Sequence, residues 1–216
     1  VILDELRALA GPDARRFEPL FPHLSEYCEF VLAEEGLEVI TGGRDPRPLA
    51  VLARTYGGSA DGFLRCAERF PGSMLWFKAP SATLYVRTVV PMVEAARFLP
   101  VAPEPRILYA VGFCADGSIK SYVIDELPLE PFEPFVSALT GPRLGFVSRG
   151  PAGVKFYLPD VPWDRLRLGG QRWTRWTRLG QELGFRTAGH LGVGPGARPK
   201  VYVDRIGTIP NDYSQR

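Results

Sequence analysis

Along this chain, short runs of alternating apolar and polar residues come in pairs separated by turn-forming residues, and segments with apolar residues three or four apart lie between the pairs. Five hairpins are predicted: YCEFVLAEEGLEVITGG (27–43), SMLWFKAPSATLYVRTVV (73–90), ILYAVGFCADGSIKSYVID (107–125), RLGFVSRGPAGVKFYLPD (143–160) and FRTAGHLGVGPGARPKVYVDR (185–205). The turns are placed at Glu35-Gly36, Pro80-Ser81, Asp116-Gly117, Gly150 to Gly153, and a longer Gly/Pro loop in the last hairpin. Asp-Gly is a strong hairpin dipeptide because both residues tolerate positive φ. Helices are predicted in ILDELRALA, ARRFEPLF, DPRPLAVLARTYGGSADGFLRCAERF, PMVEAARFLP, LEPFEPFVSAL and PWDRLRLGGQRWTRWTRLGQELG, several of them opened by Asp or Pro. The pattern is helix then hairpin, five times, with no linker between units, so residues 1–216 are expected to form a single domain of the α+β class.

Alternation assigns side chains to faces, because cross-strand partners point the same way. In the third hairpin a two-residue loop at 116 and 117 pairs Lys120 with Phe113 and Tyr122 with Val111, with Tyr109 following on that side. In the fourth, Lys155 faces Ser148 and Tyr157 faces Phe146; in the second, Met74, Trp76 and Lys78 share a face with Tyr85 and Arg87. The fifth adds Lys200, Tyr202 and Asp204, and the first adds Glu29, Val31, Glu38 and Ile40. The opposite face is apolar: Leu75, Phe77, Leu84 and Val86; Leu108, Ala110, Ile119 and Val123; Val147, Val154, Phe156 and Leu158; Val201 and Val203. That side must lie under the helices.

The face bearing cations and aromatics is either the solvent side of an open sheet or the inside of a closed barrel. Closure is favoured on three grounds. Lys-x-Tyr recurs at one hairpin position in Lys120/Tyr122, Lys155/Tyr157 and Lys200/Tyr202. Trp76, Tyr85, Tyr109, Phe113 and Phe146 are a large aromatic area to leave in water. An open sheet of ten antiparallel strands would leave edges prone to aggregation, which a ten-stranded barrel removes.

Composition narrows the partners. The 26 Lys and Arg against 24 Asp and Glu leave +2 over 216 residues, too weak a field to attract duplex nucleic acid. RLRLGGQRWTRWTRLG is read as an outer helix with Trp packed inward and Arg stems over it, not as a single-strand binder. Nothing in the N-terminal segment is apolar enough for a membrane span. Cys28, Cys66 and Cys114 have neither disulfide nor zinc spacing and suit a reducing compartment, so the expected location is cytoplasmic. His23 and His190 are too few for a metal or triad assignment, although His190 is placed to line a cavity. GVGPGAR lacks P-loop spacing, and no D-D-x-x-D run is present.

Five αββ units closing a barrel with helices outside resemble the ABBA fold of soluble aromatic prenyltransferases. The Lys-x-Tyr pairs are similar to those of the dimethylallyltryptophan synthase branch, of which this chain would be an unusually short member. The resemblance implies transfer of a dimethylallyl or geranyl group from its diphosphate to an aromatic small molecule. It implies diphosphate contacts from Lys78, Arg87, Lys120, Lys155 and Lys200. It further implies shielding of the carbocation, or substrate contact, by Trp76, Tyr85, Tyr109, Phe113, Tyr122, Phe146, Tyr157 and Tyr202. Glu29 resembles the acid that takes the acceptor's proton, with Glu38 as the second candidate; Glu38 also stands where that branch usually carries an Arg. No cofactor is expected, and Mg²⁺ is compatible with the site but not required. The chemistry agrees: fixed cations stabilise a departing diphosphate, and electron-rich rings shelter an allyl cation from water. Two other readings use the same lumen: a non-catalytic barrel binding an amphiphilic anion, and an enzyme that acts on a phosphorylated substrate without an aromatic acceptor.

Overall fold

The computed structural model describes residues 2–206 apart from 25, 26, 142, 186 and 197, and of residues 204–206 the backbone alone. Ten strands form: β1 (Cys28–Ala33), β2 (Gly36–Gly43), β3 (Leu75–Ala79), β4 (Thr83–Pro91), β5 (Ile107–Phe113), β6 (Ile119–Leu127), β7 (Arg143–Gly150), β8 (Gly153–Pro162), β9 (Thr187–Val193) and β10 (Pro199–Ile206). Each pairs antiparallel with its neighbours in sequence, and β1 pairs with β10 to close the barrel, with Val31 opposite Tyr202 and Ala33 opposite Lys200. Closure leaves no free edge.

Helices cover the outside: α1 (Ile2–Ala10), α2 (Pro46–Thr55), α3 (Asp61–Arg69), α4 (Met92–Ala95) and α5 (Gln171–Glu182), with 3₁₀ turns at Gly11–His23 and Trp163–Arg165. Asp45 caps α2 by accepting from the Arg47 amide at 3.0 Å, and Pro46 opens the helix where no donor is needed. Leu49, Leu52 and Ala53 of α2 and Phe63 and Cys66 of α3 are buried against the barrel. Together with Phe30, Phe77, Leu84, Val86, Val111, Val123, Leu158 and Val201 from the outer strand faces, they belong to one core. In α5, Trp173 and Trp176 point inward, and the Trp176 indole donates to the Ala33 carbonyl at 3.4 Å, so this basic helix packs as an outer helix.

The strand repeat is more regular than the helical one. LEPFEPFVSAL forms turns where a helix was expected. Pro131 and Pro134 each remove a donor, and the segment instead exchanges backbone bonds with the Trp163–Arg165 region, Ser137 to the Arg165 carbonyl and Arg167 to the Phe135 carbonyl. Val154, expected under a helix, is exposed.

The third hairpin is the main correction. Its loop has three residues, with Phe113 paired to Ile119 and the Cys114 amide donating to the Ser118 carbonyl at 2.9 Å. Gly117 closes it at φ +80°, the left-handed residue that such loops require. Asp116 accepts from both the amide and the hydroxyl of Ser118. The one-residue change from the expected register exchanges the faces of β5. Lys120 therefore pairs with Gly112 and Tyr122 with Ala110, so Ala110 faces the lumen. Phe113 leaves the set of lumen residues and packs edge-on against Phe63 of α3 at 6.4 Å. A bulge between Leu108 and Ala110 returns Tyr109 to the lumen, so Tyr109 and Ala110 both line it.

Candidate active site

All five hairpin loops open at one end of the barrel, because the strands run up and down in chain order. Each hairpin sends one charged side chain inward close to its loop: Glu38, Lys78, Lys120, Lys155 and Lys200. One inward step further, β4, β6, β8 and β10 supply Tyr85, Tyr122, Tyr157 and Tyr202, whose successive rings stand 5.8 Å apart. In the first hairpin the corresponding residue is Ile40, so its second strand reads Glu-x-Ile where the others carry Lys-x-Tyr or, in β4, Thr83 and Tyr85 opposite Lys78. Glycines on intervening strands make room for this layer. A Cβ on Gly112 would stand 3.1 Å from the Tyr85 ring, and one on Gly192 would stand 3.1 Å from the rings of both Tyr157 and Tyr202.

Below the tyrosines lies a chain of rings: Trp76 to Tyr109 at 6.3 Å, Tyr109 to Phe146 at 4.3 Å, and Phe146 to His190 at 5.3 Å. Tyr27, Glu29 and Ile40 complete the wall of a cavity of about 120 Å³. Glu29 is buried and accepts a hydrogen bond from the Tyr27 hydroxyl at 3.2 Å. The structure thus gathers every candidate named from the sequence except Phe113 around one lumen. Arg87 sits apart from the lysines, with its guanidinium over the Tyr109 ring at 5.2 Å. The Trp76 indole nitrogen and Arg87 Nε are buried with no hydrogen-bond partner among the described residues, which leaves donors at this level for a ligand. The side chain of Asp204 lies outside the described residues. Sequence reasoning missed Tyr27 as a lining residue, although it stands two positions before Glu29 and so shares its face.

The charged ring is not uniformly cationic. A single Glu38 oxygen accepts from Lys200 at 2.9 Å and from Lys78 at 3.4 Å, and all three side chains are at most one-fifth exposed. Burial alone would raise the Glu38 carboxyl, but Lys78 and Lys200 together hold it down to about 2. Glu38 is therefore a fixed anion and a poor proton acceptor at neutral pH, which leaves Glu29 as the better-placed base. Among the described residues, Lys120 and Lys155 have no carboxylate partner. Burial, reinforced by repulsion from Lys200 and Lys78, lowers Lys155 to about 8. Burial pushes the Tyr85, Tyr122 and Tyr202 phenols up, so they are neutral hydroxyls at neutral pH. Among the described residues, no three His, Cys, Asp or Glu side chains gather as a metal site, and no helix is long and apolar enough to cross a membrane.

This chain matches the prenyltransferase PriB, in its ternary complex with L-tryptophan and dimethylallyl thiolodiphosphate, at a TM-score of 0.57 and 15% identity, over 95% of this chain and 94% of that one. The fold is that of the ABBA prenyltransferases. The 5-dimethylallyltryptophan synthase from Streptomyces coelicolor also matches, at a TM-score of 0.43 and 14% identity, over 95% of this chain and 90% of that one. No family model and no curated protein sequence matches the chain.

Proposed function

We propose that this protein transfers a dimethylallyl or geranyl group from its diphosphate to a carbon of an aromatic small molecule. The reading rests on one observation: a ring of lysines stands directly over a belt of tyrosines, and both open onto an aromatic pocket that holds a buried carboxylate. In this reading Lys120 and Lys155, with the remaining donors of Lys78 and Lys200, bind the diphosphate. The carbon–oxygen bond breaks with its electron pair leaving on the diphosphate, where the ammonium groups stabilise it. Tyr85, Tyr122, Tyr157 and Tyr202 face the allyl cation and keep water away. An acceptor ring lies between Trp76, Tyr109 and Phe146; its carbon forms the new bond, and Glu29 takes the proton that carbon loses, oriented by the Tyr27 hydroxyl. Protein cations neutralise the leaving group, so turnover should persist when divalent metals are chelated. Arg87, beside Tyr109, fits the acceptor end better than the diphosphate end.

A second reading, an anion-binding barrel without turnover, draws support from Glu38, which already neutralises part of the lysine ring. Purified protein incubated with labelled dimethylallyl and geranyl diphosphates and a panel of indoles and phenols separates the two. Acceptor-dependent release of pyrophosphate with a prenylated product is the expected result, and Glu29→Gln should slow it about a hundredfold. Release without an acceptor would favour an enzyme acting on the phosphorylated substrate alone, and binding without release would favour the carrier.

A further inference from the structure

We propose that Glu38 is a built-in counter-anion that limits how tightly the lumen holds a diphosphate; this rests on the reading of the lysine ring as the diphosphate site. Four hairpins place a lysine in the ring, and the first places a carboxylate there, two positions before Ile40 where other hairpins have tyrosine. That carboxylate does not face water or a helix terminus. It is held between Lys78 of the second hairpin and Lys200 of the fifth, both bonded to the same oxygen.

Each ammonium has three N–H donors. Lys78 and Lys200 commit one apiece to Glu38, so an incoming phosphate meets them partly neutralised, whereas Lys120 and Lys155 have no direct ion pair with a carboxylate among the described residues. With all four lysines charged and Glu38 ionised, the ring carries +4 − 1 = +3. A diphosphate with a lipid-like tail is bound by these groups before reaction, and the free diphosphate is bound by the same groups afterwards. The tail adds contacts with the tyrosine belt that the free diphosphate lacks. Lowering the charge of the ring therefore weakens the product by a larger share of its total binding than it weakens the donor. Glu38 in this way caps the affinity of the lumen for the free anion, which has no tail contacts to fall back on, and favours release of pyrophosphate.

The test is calorimetric titration of inorganic pyrophosphate and, separately, inorganic phosphate into the wild-type chain and Glu38→Gln, at about pH 6.5, below the value of about 8 at which Lys155 loses its proton, and at low fixed salt. Glu38→Gln keeps the shape and removes the charge. It should bind pyrophosphate about tenfold more tightly, with a smaller gain for phosphate. Equal or weaker pyrophosphate binding by a folded Glu38→Gln overturns the inference. Lys120→Ala and Lys78→Ala in the otherwise wild-type chain give a second readout that needs no change at Glu38. Lys120→Ala should cost pyrophosphate more affinity than Lys78→Ala, and the reverse order overturns the inference. Pyrophosphate binding by no variant would remove the diphosphate reading as well, whereas binding that is indifferent to Glu38 removes this inference alone.

Discussion

On the outer face of β3 and β4, Phe77, Leu84 and Val86 are wholly buried against the core that α2 and α3 share, whereas on the inner face of the same strands Trp76 and Tyr85 line the cavity and Lys78 pairs with Glu38. Two strands thus carry two environments a side chain apart. The outer face is packed to exclude water and contributes stability through buried apolar area. The inner face buries ionisable groups and crowds like charges, both of which cost stability. Such features persist in a folded barrel because the outer face holds the wall in place whatever the lumen contains. Side chains on the outer face should therefore govern whether the chain folds, and side chains on the inner face what it binds.

The hardest test of that division is Phe77→Ala. It removes a fully buried ring from the outer face and should lower the unfolding free energy by about 4 kcal/mol in denaturant titration; a stability equal to wild type would end the comparison. Phe113→Ala sharpens it, because the expected register placed this ring in the lumen and the observed one places it against Phe63. It should cost about 3 kcal/mol of stability while leaving pyrophosphate affinity unchanged by calorimetry.

On the inner face, Lys155→Ala should not lower denaturant stability, because it removes a buried charge crowded by Lys200 and Lys78, and should weaken binding of an unreactive thio-diphosphate donor about thirtyfold, or about 2 kcal/mol. The same residue predicts a pH profile. Its ammonium loses its proton near pH 8, so donor affinity should fall as pH rises through that value, and Lys155→Ala should abolish the step. Stability moves the opposite way. Between about 8 and the ordinary lysine value of 10.5 the unfolded chain holds a proton that the native chain has released, so native stability should rise across that window. The smallest effect is expected for Tyr157→Phe, which keeps the ring between Tyr122 and Tyr202 and should retain most of the prenylated product. Tyr157→Ala should admit water and divert part of the donor to the free alcohol in product analysis.

Much of this organisation was legible along the chain. The pairs Lys155/Tyr157 and Lys200/Tyr202 point inward as their alternation says, because facing in a strand is a local property of the pleat. Glu29 and Glu38 share the lumen for the same reason. The third hairpin shows the limit of such reading. Asp116-Gly117 correctly marks a turn, but a three-residue loop uses the same dipeptide, and the single residue of difference sends Phe113 outward and Ala110 inward. The helix predicted in LEPFEPFVSAL failed because Pro131 and Pro134 lack donors, and the segment bonds instead to backbone groups of Arg165 and Arg167, distant in sequence.

Local pattern therefore determined the ten strands, the side of the wall on which most residues lie, and the recurrence of a cation with a phenol. Only the closed barrel decided what those residues meet. Tyr109 reaches the lumen through a bulge whose partner is another strand. The tyrosine rings stand 5.8 Å apart because four hairpins are brought around one axis. Glu38 finds Lys200 across 162 positions of sequence, through the seam where β10 returns to β1. Alternation is set by the backbone of one strand and can be read residue by residue, but the neutralisation of a charge depends on groups that closure alone brings within reach of it.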